Sequence, residues 1–361
     1  MGIRSHLTNL QHAVVASGFL IAGCGDGGPT KPEPPLGPRD YVVYFQTAGS
    51  NFNLRFYHTE TGVIDSIPLQ IPLTGNIAVS PDGSHLYVTA GSQTKVLETQ
   101  TLTTVATLPY GSQVTQGGVV VSPDNRWMAI FGTGVVILDP RDYSVLFTDT
   151  GRVIHGTASP DGRYFLAGAG PASSNQAYRL DLSSTPYTTT RRAFPGAVWR
   201  IVSSRDNQKW YVYTSVAGSY GLYVYDVALD SIIYRFGIGP GYGDIRLSGD
   251  GVMLFSCSPG SPNGDLPNPS AFYAYNTVTN ELIDTIWTVP VVTQNGDTQL
   301  VQGNQCFAMT PDGRKLISGG GMPSFGSPVF IEFDIQTWKI DRCIELGRYA
   351  GIRNVACQSG L

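Results

Sequence analysis

A short phrase built on Ser-Pro-Asp-Gly recurs along this chain at intervals of about 40 residues, the spacing of a radial β-repeat. It reads NIAVSPDG at 76–83, VVVSPDN at 119–125, TASPDGR at 157–163 and AMTPDGR at 308–314. Weaker copies are IVSSRDN at 201–207 and IRLSGDG at 245–251. Each copy follows a run of strand-forming residues and precedes another, so it reads as a tight turn. Pro presets φ, Asp bonds the backbone two residues on, and Gly accepts positive φ. A second turn follows in most units, as in Thr59-Glu60-Thr61-Gly62, Asp139-Pro140-Arg141-Asp142 and the stretches at 226–230, 276–280 and 334–337. Two turns and a longer connection imply four strands per unit. In the second unit these fall at 76–80, 85–89, 95–98 and 105–108.

The ends set the number of units. Residues 41–46, 53–58 and 63–70 supply the second, third and fourth strands of a unit whose first strand is missing. Residues 352–358 (IRNVACQ) have the first-strand pattern and nothing after them. The expectation is an all-β, seven-bladed β-propeller of four-stranded blades, in which the C-terminal strand joins the N-terminal blade and closes the ring. The wide gap between the copies at 249 and 311 is assigned to insertions at 258–270 and 288–304.

Composition agrees with many short strands: 43 Gly, 24 Pro and 19 Tyr, with 14% charged residues against about 25% in an average domain. A net charge of −4 gives no electrostatic footprint for nucleic acid. The first residues read as processing signal. Arg4 provides a weak positive start, residues 13–22 are apolar, and that stretch is shorter than the roughly 20 residues a membrane span needs. Residues 25–39 (GDGGPTKPEPPLGPR) read as a semi-extended tether. The expected division is a signal at 1–23, a tether at 24–40 and the propeller at 41–361.

Two resemblances add to this. Leu20-Ile21-Ala22-Gly23-Cys24 resembles the lipobox of bacterial lipoproteins, which implies cleavage before Cys24, its lipidation, and attachment to the cell envelope. Residues 76–91 (NIAVSPDGSHLYVTAG) are similar to the YVTN-type propeller repeats of bacterial surface and periplasmic proteins. That likeness implies architecture rather than activity, because similar turns occur in lactonase-type and TolB-like propellers.

Counting back four residues from each turn Ser or Thr gives one ring of equivalent positions: Asn76, Gly118, His155, Arg200, Asp244 and Cys306, with Asn354 in the closing strand. Two residues further on, the ring is mostly small or apolar: Ala78, Val120, Thr157, Val202, Arg246, Ala308 and Ala356. The first ring marks one mouth of the central channel, at the end that carries the longer loops. Binding functions gather on elaborated loops. The candidate binding residues are therefore Asn76, His155, Trp199, Arg200, Asp244, Arg246, Arg353 and Asn354. Histidine offers acid–base chemistry and Arg an anion clamp, yet no nucleophile–base constellation is specified, and no catalytic residue is assigned. Trp199, Tyr220 and Phe325 fall on the loop face, where an exposed aromatic could anchor a partner, but the core reading is favoured for them too, and the other tyrosines and tryptophans alternate as blade core. Cys257 and Cys306 both fall near the mouth and are expected to form a disulfide.

No cofactor is expected, and no HxH, HExxH or EF-hand spacing supports a metal. The reading is a non-catalytic envelope lipoprotein whose loop face binds a protein, peptide or envelope polymer, membrane-held through its lipid. The alternative is a lactonase-like hydrolase at the channel mouth, where that resemblance would place Glu, Asn and Asp around a divalent ion. Asn76, Asp244 and Asn354 are present, but the ring contains no Glu.

Overall fold

The computed structural model describes residues 41–48, 53–58, 64–68, 76–111, 117–169, 175–216, 219–236, 244–258, 271–287, 289–292, 298–301, 306–310, 313–320, 329–337, 339–345 and 350–359. The recurring phrase is a double clamp. The turn Ser donates its hydroxyl to the Asp carboxylate two residues later, at 2.6 Å in both Ser159–Asp161 and Ser204–Asp206. The same Ser oxygen accepts the N–H that opens the next strand: His85, Trp127, Tyr164, Lys209 and Met253, at 2.8–3.1 Å. Each Asp also accepts the N–H two positions on. The residue after the Asp needs positive φ, and it is Gly83, Asn125, Gly162, Asn207, Gly251 or Gly313 in the six copies. Gly and Asn are the residues that reach this region at least cost.

These hydrogen bonds fix the acid side of the turn. Partial burial alone would raise the carboxyls of Asp82, Asp124 and Asp161, but hydroxyl and amide donors outweigh it and hold all three below the usual range. At Asp206 and Asp250 the Ser hydroxyl is the largest influence, and it lowers them.

Among the described residues, six four-stranded antiparallel sheets each run in chain order, beginning with Ile77–Val79, Gly118–Val121, His155–Ala158, Ala197–Ser203, Ile245–Leu247 and Cys306–Met309. One further sheet joins the chain's two ends. Tyr41–Ala48, Asn53–His58 and Ile64–Pro68 take their fourth strand from Ala350–Ser359, paired through Val43↔Cys357 and Tyr44↔Ala356. The first strands lie side by side in succession, and Ala350–Ser359 touches both Cys306–Met309 and Ile77–Val79. The fold is an all-β propeller of four-stranded antiparallel blades. The segment between Leu282–Trp287 and Cys306–Met309 contains a hairpin, Val289–Val292 with Thr298–Val301.

The core is a series of layers between blades, because a strand's alternate residues face opposite neighbours. Trp210 and Val212 pack towards Leu166 and Phe194 of the preceding blade. Tyr211 and Tyr213 pack the other way, towards Ile245, Leu254 and Tyr275. Burying each such ring contributes about 1.5–3 kcal/mol. Alternation thus explains why the tyrosines serve as core. The outermost strands are frayed to solvent, and Ser231–Phe236 buries only its last residue.

Neighbouring blades are also tied through polar groups. Trp127 Nε1 donates to Gly162 O at 2.6 Å, from one blade to the turn of the next. At the rim, Arg191 pairs with Asp149 of the preceding blade and Arg192 with Asp230 of the following one.

Candidate functional site

The starts of the first strands bring four of the expected residues together from three successive blades. His155 opens His155–Ala158, Arg200 lies within Ala197–Ser203, and Asp244 and Arg246 frame Ile245. Asp244 is the pivot. Its side chain is 5% exposed, with Oδ1 3.4 Å from Arg200 Nε and Oδ2 3.3 Å from Arg246 Nη2. The two guanidinium side chains are far more open, at 25% and 38%. A buried acid is thus paired with two more exposed basic side chains.

The backbone explains why Asp244 is held there. Its N–H donates to Cys257 Sγ at 3.1 Å, and Cys257 N–H donates back to Asp244 O at 3.1 Å. Asp244 Oδ1 also accepts from Ile245 N–H at 3.0 Å. Cys257 is buried against this strand, a role its sequence position alone does not disclose. The expected partner in a disulfide, Cys306, begins its own first strand, and its side chain lies outside the described residues.

A bulge sets Arg200. The pairing skips a residue between Val198↔Thr214 and Arg200↔Tyr213. Trp199, the extra residue, turns into the core beside Tyr213 and Ile245, and its Nε1 donates to Ser215 Oγ at 2.6 Å. Arg200 is left facing outward and donates through Nη1 to Trp199 O at 3.0 Å. Of the two readings of Trp199, the core one holds and the exposed anchor at the mouth falls: the bulge turns it into the core. Tyr220 is likewise half-buried, stacked on Tyr213 with centroids 6.0 Å apart. Phe325 lies outside the described residues.

His155 is buried, and its Nδ1 has no hydrogen-bond partner. Burial lowers its pKa well below the ordinary imidazole value, and the positive charges of Arg200 and Arg246 push in the same direction. The ring is neutral at pH 7. The described mouth thus holds two cations, one carboxylate and one neutral imidazole.

Asn76 does something else. Its Oδ1 accepts from Val119 N–H of the next blade at 2.6 Å, and Asn76 N–H donates to Gly117 O at 3.2 Å. A Cβ at Gly118 would overlap the Asn76 amide. The Gly at the ring position beside Asn76 is the sequence trace of this clamp. Asn76 therefore joins two blades, whereas the corresponding position in later blades carries His155, Arg200 or Asp244. Arg353 and Asn354 lie in Ala350–Ser359, with side chains outside the described residues, and Cys24 lies outside them too. Among the described residues no three His, Cys, Asp or Glu side chains gather in a way that could hold a metal ion.

No protein-family model matches the chain, and no curated protein matches it. Solved structures do. A functionally unknown protein from Desulfotomaculum acetoxidans aligns with TM-score 0.65 and 15% identity over 89% of this chain and 100% of its own. Dihydro-heme d1 dehydrogenase NirN aligns at 0.59 and 14%, over 91% of this chain and 77% of its own. The β-propeller domain of Myceliophteria thermophila Cps50 (Swd1) aligns at 0.55 and 14%, over 75% and 85%. These likenesses establish a propeller and, given their varied functions, nothing narrower.

Proposed function

We propose that this chain is a non-catalytic, lipid-anchored envelope protein whose seven-bladed propeller binds a protein or peptide partner at the channel mouth. The Arg200–Asp244–Arg246 cluster beside His155 carries this reading. It gathers charge from two successive blades, beside an imidazole from a third, at the end where the connections between blades emerge. The described Ser-x-Asp turns at the opposite end are short, and their Ser and Asp side chains bond within the turn. Binding also suits the groups present better than hydrolysis does. The described mouth offers no nucleophile paired with a base, and its imidazole Nδ1 has no hydrogen-bond partner to orient it. Anchoring rests on the lipobox-like segment ending at Cys24 and the tether after it, and the seven-blade count on the six chain-ordered sheets plus the one that joins the termini.

The test is site-specific photo-crosslinking in cells with the full chain. A photoreactive side chain at Pro195, exposed on the connection leading into Ala197–Ser203, is expected to capture a partner. The same group at exposed Asp206, in the opposite turn, is expected to capture none. Capture from Asp206 alone, or from neither position, would overturn the assignment.

A further inference from the structure

The outer rim of the propeller is uneven. In the blades that begin with Ile77–Val79, Gly118–Val121 and His155–Ala158, the outermost strand exposes at most one large apolar residue, Val105 in the first and Val145 in the second. Scattered exposure of that kind is ordinary. The next two blades differ. Ser231–Phe236 exposes Ile232, Ile233 and Tyr234, and Leu282–Trp287 exposes Leu282 and Ile283, at 37–52% of their full areas. Leu229 and Val278, in the turns that open these two strands, are more exposed still, at 69% and 73%. The two strands belong to one surface. Tyr234 meets Phe236 with ring centroids 5.0 Å apart, Phe236 reaches Tyr275 of the next blade at 4.4 Å, and Tyr275 lies opposite Leu282. The seven exposed residues leave about 700 Å² open, more than the roughly 300–600 Å² of the largest apolar patch on a typical monomer and close to the roughly 800 Å² that one partner buries in a standard interface.

Strand pairing decides how such a surface makes contact. The register skips Ile233 between Val224↔Tyr234 and Tyr225↔Ile232, and Ile283 between Ala274↔Asp284 and Tyr275↔Leu282. A bulge re-aims a side chain and blunts a sheet edge against the addition of another strand. This rim therefore packs side chain against side chain rather than extending a sheet. Charge gives the second, independent observation. Ser231–Phe236 carries exposed Arg235, whereas exposed Glu281 and Asp284 flank and lie in Leu282–Trp287. Among the described residues none of these three is in an ion pair, unlike Arg191 and Arg192 on the neighbouring rim. One half of the patch is thus basic and the other acidic. A surface of that kind is complementary to itself after a two-fold rotation, which sets each basic half against the acidic half of its mate.

We propose that this rim is the contact between two copies of the chain, related by a two-fold axis that lays Ser231–Phe236 of each copy over Leu282–Trp287 of the other. Ile233 and Ile283 form its apolar centre, and Arg235 faces Glu281 and Asp284 of the second copy. The rim is a different surface from the channel mouth, so the dimer leaves both mouths open. About 700 Å² from each copy falls within the standard range of roughly 1,200–2,000 Å² in total. The flanking charges make association weaken modestly with added salt.

Sedimentation equilibrium of the full chain in density-matched detergent tests this between about 1 and 100 μM, where interfaces of this size associate. A reversible monomer–dimer equilibrium that stops at the dimer is expected. Ile233→Lys and Ile283→Lys, both at exposed positions, should each raise the dimer Kd by about tenfold or more while keeping the wild-type melting profile. Val105→Lys, at the equivalent bulge of an earlier blade, should leave the Kd unchanged. Arg235→Glu should weaken the dimer too. Combining it with Glu281→Lys and Asp284→Lys should restore the dimer, a rescue that a folding defect would not give. A chain that stays monomeric up to about 100 μM would overturn the proposal and leave the rim to a different protein or a lipid surface. So would growth beyond the dimer, a Kd unmoved by both lysine variants at 233 and 283, or failure of the charge swap to rescue.

Discussion

Ser159→Ala tests the physical account of the recurring turn. Ser159 is fully buried, and its hydroxyl makes two hydrogen bonds that alanine cannot. It donates to Asp161 at 2.6 Å and accepts from Tyr164 N–H at 2.8 Å. Asp161 is exposed, so the first bond is discounted for solvent screening to about 0.5–1 kcal/mol. Loss of the second strips the Tyr164 N–H of its acceptor inside a closed turn, about 1–3 kcal/mol. The expected destabilisation is about 1.5–4 kcal/mol in urea unfolding at pH 7. The sign of its pH dependence follows from Asp161, whose folded pKa is lowered despite the opposing effect of burial. A depressed carboxyl contributes stability that is present above its unfolded value, near 3.9, and is lost as pH falls through the folded value. Part of that depression comes from the Ser159 hydroxyl, so the gap between wild type and variant should narrow as pH falls from about 6 towards 3. A deficit below about 0.5 kcal/mol, the usual range of a neutral surface change, would refute the double-clamp account. A deficit that does not change with pH would refute the Asp161 half of it.

Gly118→Ala should destabilise the chain by about 1–3 kcal/mol through overlap with the Asn76 amide. The penalty should be smaller in an Asn76→Ala background, and a double-mutant cycle showing additivity would reject the clamp. Trp127→Phe removes a buried inter-blade donor to Gly162 O and part of an indole, for an expected loss of about 2–4 kcal/mol in chemical denaturation; a loss under 1 kcal/mol would contradict it. Cys24→Ser should move the protein from the detergent phase to the aqueous phase in cloud-point partition of whole cells, and an unchanged distribution would exclude the lipid anchor.

The turns and the strand order were legible in the sequence because both are local. Ser, Asp and a Gly or Asn at fixed offsets perform their chemistry within six residues, so spacing alone locates them. The same count grouped Arg200, Asp244 and Arg246, and the two arginines do meet at the Asp244 carboxylate. Trp199 was misplaced because one bulge between Val198 and Arg200 breaks strict alternation, and a bulge depends on pairing with a distant strand. Asn76 was assigned to the mouth because its amide looks like any polar ring residue. Its clamp onto Val119 appears only when the next blade is set beside it. The part played by Cys257 was hidden for the same reason, since its contact with Asp244 arises from pairing across two strands.

The pairing of Tyr41–Ala48 with Ala350–Ser359 also sets a timetable. The six chain-ordered sheets can assemble progressively as their strands are synthesised, each from contacts close in sequence. The N-terminal sheet has its three outer strands made first and its innermost strand made last. Until then it presents an open edge, and Ile77–Val79 lacks one of its neighbours. Closure is the most non-local contact in the chain, carrying the largest loop-entropy cost and the slowest expected step. The waiting edge is where pairing with another chain competes with folding, so the last ten-residue strand acts as the latch that ends that exposure.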